Sequence, residues 1–116
     1  MDLEYIRKFC LDKKSVTESF PFGNTALVFK VAGKIFLILS IDSRPLQFNV
    51  KCDPEKAILL REEFSSVIPA FHMNKKHWNT LVLDGQVPVK QIREMIDESY
   101  ALVAKSLPLQ ERKKIL

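Results

Sequence analysis

The stretch Phe71-His72-Met73-Asn74-Lys75-Lys76-His77-Trp78-Asn79-Thr80 concentrates the side chains of this chain that could do chemistry. From His72 to Thr80 it holds two histidines, two lysines, two asparagines, a tryptophan and a threonine. Paired histidines raise zinc first. A zinc site needs three or four ligands. No Asp, Glu or Cys lies between Ser65 and Leu83 to complete one, and His72 and His77 lack the i, i+4 spacing of a helical pair. The expectation is two polar histidines in a loop or hairpin, with no metal.

The other routes to catalysis are no better supplied. Cys52 precedes a helix start, where a thiolate would be stabilised, but strand alternation turns it inward. Cys10 falls on a helical apolar stripe. The three glycines form neither G-x-G-x-x-G nor G-x-x-x-x-G-K. Glu62-Glu63 and Asp97-Glu98 are sequence neighbours on helices, so neither pair shares a face. No serine sits in a nucleophile elbow. The chain therefore reads as a binding protein without cofactor, not as an enzyme.

The elements that must position these residues follow from periodicity. Asp2 caps a first helix carrying Leu3, Ile6 and Cys10, which ends near Asp12-Lys13-Lys14. Phe20-Pro21-Phe22-Gly23-Asn24 is a turn into a sheet. Thr25 to Val31 alternates, Ala32-Gly33 reverses the chain, and Lys34 to Ile41 is almost continuously apolar, as in a central strand covered on both sides. After the turn Asp42-Ser43-Arg44-Pro45, the segment Leu46 to Cys52 alternates again. Asp53-Pro54-Glu55 starts a second helix with Ala57, Leu60 and Phe64 inward. Val67-Ile68-Pro69 and Trp78 to Leu83 flank the opening stretch as strands. Pro88 starts a long helix with Val89, Ile92, Ile96 and Val103 on one face, and a short helix closes the chain after Pro108. The fold class is α+β, in the order α-βββ-α-ββ-α. It is a two-layer sandwich with helices on one face of an antiparallel sheet, and a single domain over 1–116.

Composition agrees with that class: 47% of residues are hydrophobic and 28% charged. Two isolated cysteines, no signal-like start and no apolar run of membrane-spanning length point to a cytoplasmic monomer away from membranes. The net charge of +4 permits nucleic-acid contact without requiring it. Ser65 to Arg93 holds Lys75, Lys76, Lys90 and Arg93 against Asp84 alone.

Pleat parity decides what the last strand offers. Leu81 and Leu83 share a face with His77 and Asn79, whereas Trp78, Thr80 and Val82 share the other. If the leucines meet the helices, Trp78 and Thr80 join Lys30, Gln47, Asn49 and Lys51 on a face suited to phosphate contact and base stacking. The opposite parity buries Trp78.

Several runs together resemble the MmcQ/YjbR family of small bacterial proteins. They are Phe20-Pro21-Phe22-Gly23, Val28 to Phe36, Lys51-Cys52-Asp53-Pro54-Glu55, Pro69 to Thr80, and Ser99-Tyr100. Phe71 stands where a tyrosine is usual, and Ala32 where a glycine is common, which suggests a less demanding backbone at that turn. The resemblance implies a secretion-chaperone-like fold and DNA binding through β-hairpin wings. On that reading Lys75 and Lys76 contact phosphate, with Lys30, Lys51 and His77 nearby. Asn74 and Asn79 offer hydrogen bonds, Trp78 stacks or wedges, and Arg44 tips a second wing. The alternatives are a protein-interaction module using exposed sheet edges, and a small-molecule binder built on His72, Asn74, His77 and Trp78.

Overall fold

The computed structural model describes residues 1–115. The elements are α1 (Leu3–Leu11), β1 (Val16–Ser19), β2 (Ala26–Val31), β3 (Lys34–Ser40), β4 (Gln47–Lys51), α2 (Pro54–Glu63), β5 (Val67–Pro69), β6 (Trp78–Val82), α3 (Val89–Lys105) and α4 (Leu109–Ile115). The order α-βββ-α-ββ-α is present. The short edge strand β1 is added between α1 and β2, and the closing helix α4 follows α3. All six strands form one antiparallel sheet ordered β1-β2-β3-β4-β6-β5. The sequence hides β1 because Val-Thr-Glu-Ser offers only one apolar residue to the core.

The helices form where local chemistry starts them. The Asp2 carboxylate accepts the Tyr5 N–H at 2.9 Å and opens α1. The Asp53 carboxylate accepts the Lys56 N–H at 3.2 Å, with Pro54 in the first turn of α2. Helix α3 has no side-chain cap and is held instead by its stripe Ile92, Met95, Ile96, Ser99 and Val103. Val89 was expected on that stripe but is 42% exposed, because the stripe begins one turn later. Helices α1, α2 and α3 bury their stripes against one face of the sheet. Two rows line that face: Leu27–Leu39–Phe48–Leu81–Val67 and Phe29–Leu37–Val50–Asn79–Pro69. Every aliphatic and aromatic side chain in these two rows is buried, apart from the ring of Pro69.

The apolar run of β3 has a different cause from the one expected. It is not covered by helices on both sides. The register shifts so that Phe29 pairs with Leu37 but Lys30 with Ile35, leaving Phe36 as a bulge. Phe36 and Leu37 thus both turn toward the helices, and the Phe36 ring meets Tyr100 of α3 edge-on at 5.4 Å. Ile35 and Ile38 lie half-buried on the other face. The bulge interrupts the ladder to β4. The buried Ser99 hydroxyl fills the gap, donating to the Phe36 carbonyl at 2.5 Å and accepting the Lys51 N–H at 2.8 Å. The turn Ala32-Gly33 is also more demanding than expected. Both residues have positive φ, 47° and 86°, the pattern of a two-residue hairpin turn.

Candidate nucleic-acid interface

The register settles the parity of β6. Asn79 and Leu81 face the helices, so Trp78, Thr80 and Val82 lie on the opposite, open face. That face carries three rows. Toward one end, Thr17–Lys30–Ile35 on β1–β3 continues into Lys51–Trp78 on β4 and β6. The middle row is Ser19–Val28–Ile38–Asn49–Thr80–Ile68, and the far row Ala26–Ser40–Gln47–Val82. The middle row is the most covered: Val28 is 0% and Thr80 5% exposed. Lys30, Lys51 and Trp78 are partly exposed.

Residues 70–77 link β5 to β6 as a compact loop that closes on itself. The Ala70 N–H donates to the Trp78 carbonyl at its mouth. The His77 and Trp78 N–H groups both donate to the Asn74 carbonyl, and the Asn74 side chain accepts the Lys76 N–H at 2.9 Å. Met73 reaches over the open face, where its sulfur accepts from the Asn49 amide at 3.7 Å. Asn49 in turn accepts the Thr80 hydroxyl at 2.5 Å. Lys75 and Lys76 are exposed, and the Lys75 ammonium sits 5.2 Å from the centre of the Phe71 ring.

The nine residues expected to contact DNA do not all converge. Lys30, Lys51, Lys75, Lys76 and Trp78 gather at one end of the sheet, with Asn74 shaping the loop. Asn79 does not belong with them. It is fully buried; its amide donates to the Ala57 carbonyl and its oxygen accepts from Arg61 at 2.7 Å. A residue on the helix face cannot touch a ligand on the open one. His77 shares that parity, and its carbonyl accepts the Cys52 N–H at 2.8 Å. Arg44 lies at the other end of β4, and its guanidinium folds back onto the carbonyls of Ile41 and Ser43. The two expected wings are therefore a strand length apart. Of the small-molecule cluster His72, Asn74, His77 and Trp78, the first three lie in the loop 70–77 and Trp78 opens β6. A cavity of about 410 Å³ lies elsewhere, between α3 and α4, lined by Tyr100, Ala101, Ala104, Lys105, Arg112 and Ile115.

The charge layout is one-sided. None of the open-face positions is Asp or Glu. The carboxylates lie in helices, at their caps, in the turns holding Asp42 and Asp84, or, for Glu18, on the helix side of β1 with Arg7. The lysines at the Trp78 end thus meet no carboxylate on their own face. Among the described residues no group of three or more His, Cys, Asp or Glu could hold a metal ion. Both thiols are poor nucleophiles: burial pushes Cys10 up to about 12 and Cys52 up to about 11.

Sequence reasoning missed Met73 as part of this surface and Arg61 as the support of the loop beside it. Met73 and Arg61 act through contacts distant in sequence, for which no local pattern exists.

The comparisons with known proteins fit this architecture. The family model YjbR matches residues 11–102. YbdF of Escherichia coli O157:H7 is 34% identical over 97% of this chain and 92% of its own. YjbR of Escherichia coli K12 is 33% identical over 100% and 98%. Both are described only as uncharacterized proteins. A crystal structure from Deinococcus radiodurans superimposes with a TM-score of 0.91 at 36% identity, covering 97% of this chain and 86% of that one. A Pseudomonas syringae crystal structure gives 0.76 at 25% identity, covering 89% and 99%. The match extends through every strand from β1 to β6 and into α3, and on it the chain belongs to the YjbR family.

Proposed function

We propose that the protein binds DNA at the lysine-bearing end of its open sheet face. The observation that carries this reading is the set Lys30, Lys51 and Trp78, with Lys75 and Lys76 in the adjoining loop, on a face whose strand positions include no Asp or Glu. Phosphate contact needs clustered cations free of internal ion pairs, and an adjacent aromatic ring adds a stacking surface. None of these four lysines pairs with an acid among the described residues. The loop 70–77 acts as the wing; Arg44, at the far end, is not part of the contact. Two buried free thiols suit a reducing cytoplasm, where we place this activity.

The test is binding of labelled DNA followed by anisotropy across a salt series. Affinity should fall steeply as salt rises from about 50 to 200 mM, and Lys75→Ala with Lys76→Ala should flatten the slope by close to two phosphate contacts. No binding at the lowest salt rejects the reading. One observation favours a second reading. Strand β1 pairs only with β2, so its outer edge is open to an added strand from a protein partner. A partner recovered equally before and after nuclease treatment, and lost on Thr17→Pro, would favour that reading over the first.

A further inference from the structure

We infer that the cavity between α3 and α4 binds a small amphipathic carboxylate, with an apolar body of about ten carbon atoms and its head on Arg112. The cavity sits on the helix side of the sheet, opposite the lysine-bearing face. Its walls are almost wholly carbon: the Tyr100 ring, the methyl groups of Ala101 and Ala104, and the Ile115 side chain. The Tyr100 hydroxyl is already engaged, donating to the Lys14 carbonyl at 2.7 Å. A dry cavity of roughly 150 Å³ takes up benzene, so about 410 Å³ with an open mouth admits a chain or ring system of about ten carbons.

Arg112 supplies the polar end. Its Nε is shut away from solvent and is the one buried side-chain nitrogen or oxygen without a hydrogen-bond partner among the described residues. Leaving a buried guanidinium donor unsatisfied is costly. A carboxylate satisfies it side-on, through Nε and a neighbouring Nη. Arg7 shows that grip in the same molecule: its Nε and Nη2 hold the Glu18 carboxylate at 2.8 and 2.5 Å. Neither Arg112 nor Lys105, the two cations lining the cavity, pairs with an acid among the described residues. Acids close by in sequence pair elsewhere: Glu111 with Lys114, Asp97 with Lys13 and Glu98 with Lys56.

Helix α4 gives such a ligand a structural part. It spans seven residues, and none of them is buried. Helices that short do not hold themselves in water. What lies beneath α4 must hold it, and there the packing is interrupted by the cavity. An apolar body in that space would extend the core under Ile115, while its head would tie down Arg112.

The experiment titrates the full chain, isotope-labelled, with octanoate and with octanol at neutral pH, following amide and guanidinium resonances. The two probes share an apolar body and differ in the charged head. Octanoate should bind saturably with a Kd of about a millimolar or tighter, shifting the amides of Ala101, Ala104 and Lys105 and the Arg112 Nε–H. Octanol should shift the same amides at least about tenfold more weakly. Arg112→Met keeps an apolar stem and removes the charge. It should weaken octanoate by roughly tenfold to a hundredfold and leave octanol unchanged, a split that a folding defect would not produce. Ala104→Leu should fill the cavity and abolish binding of both, with the sheet resonances unmoved. Equal affinity of the wild-type chain for the two probes would overturn the placing of a carboxylate on Arg112. Shifts that map outside the α3–α4 cavity, or none up to about 10 mM, would sink the site. Resonances of these residues that move on dilution of the protein alone would give this face to a second copy of the chain and rule out the small ligand.

Discussion

Both ends of the Asn79 amide are occupied by α2, through the Ala57 carbonyl and the Arg61 guanidinium. Asn79→Ala should therefore cost about 1–3 kcal/mol in urea denaturation, because it leaves buried partners unsatisfied. The exposed pair Lys75→Ala and Lys76→Ala should stay within about 0.5 kcal/mol of wild type. That contrast separates a structural polar residue from a surface one in the same stretch. The sequence carried the needed clue: Asn79 shares parity with Leu81, two residues on. It could not show which face the helices cover. Ala32 gives the converse lesson. An alanine at φ 47° pays a backbone strain that glycine avoids. Ala32→Gly should stabilise the fold by about 0.5–1 kcal/mol, read as a higher urea midpoint.

Elements with strong local signals were legible. Asp53-Pro54-Glu55 marked the start of α2, and the alternation of Leu46 to Cys52 marked β4 with its inward residues Phe48 and Val50 and the buried Cys52 just after it. Elements set by neighbours were not. The bulge at Phe36 is a property of the β2–β3 pairing, and an apolar run such as Lys34 to Ile41 conceals it. Strand β1 exists because β2 offers an edge, not because Val-Thr-Glu-Ser demands one. Ser99 looked like one polar residue on a long helix, yet it joins α3 to both strands at the bulge. Ser99→Ala should orphan the Phe36 carbonyl and the Lys51 N–H together and cost about 1–3 kcal/mol. Faster hydrogen exchange at Lys51 would localise the damage.

Over the whole molecule, the two thiols couple burial to pH. Their values rise from an ordinary 9.0 to about 12 for Cys10 and about 11 for Cys52, so the folded chain keeps protons that the unfolded chain releases. The resulting stability is complete below pH 9 and is lost as pH climbs toward 11 and 12. Cys10→Ala should flatten that alkaline decline. At pH 8 a thiol reagent should modify the native protein only at the rate of its opening, and rapidly in urea.

The placement of the carboxylates reaches beyond contact distance. Asp42 and Asp84 occupy turns at the end of the sheet away from Trp78, and the helices hold most of the remaining acids. Lys30, Lys51, Lys75 and Lys76 crowd the other end. Four lysines thus concentrate at that end of a chain whose net charge is +4. Within about a Debye length, a polyanion would meet this group of cations before the rest of the surface, and added salt would weaken that bias.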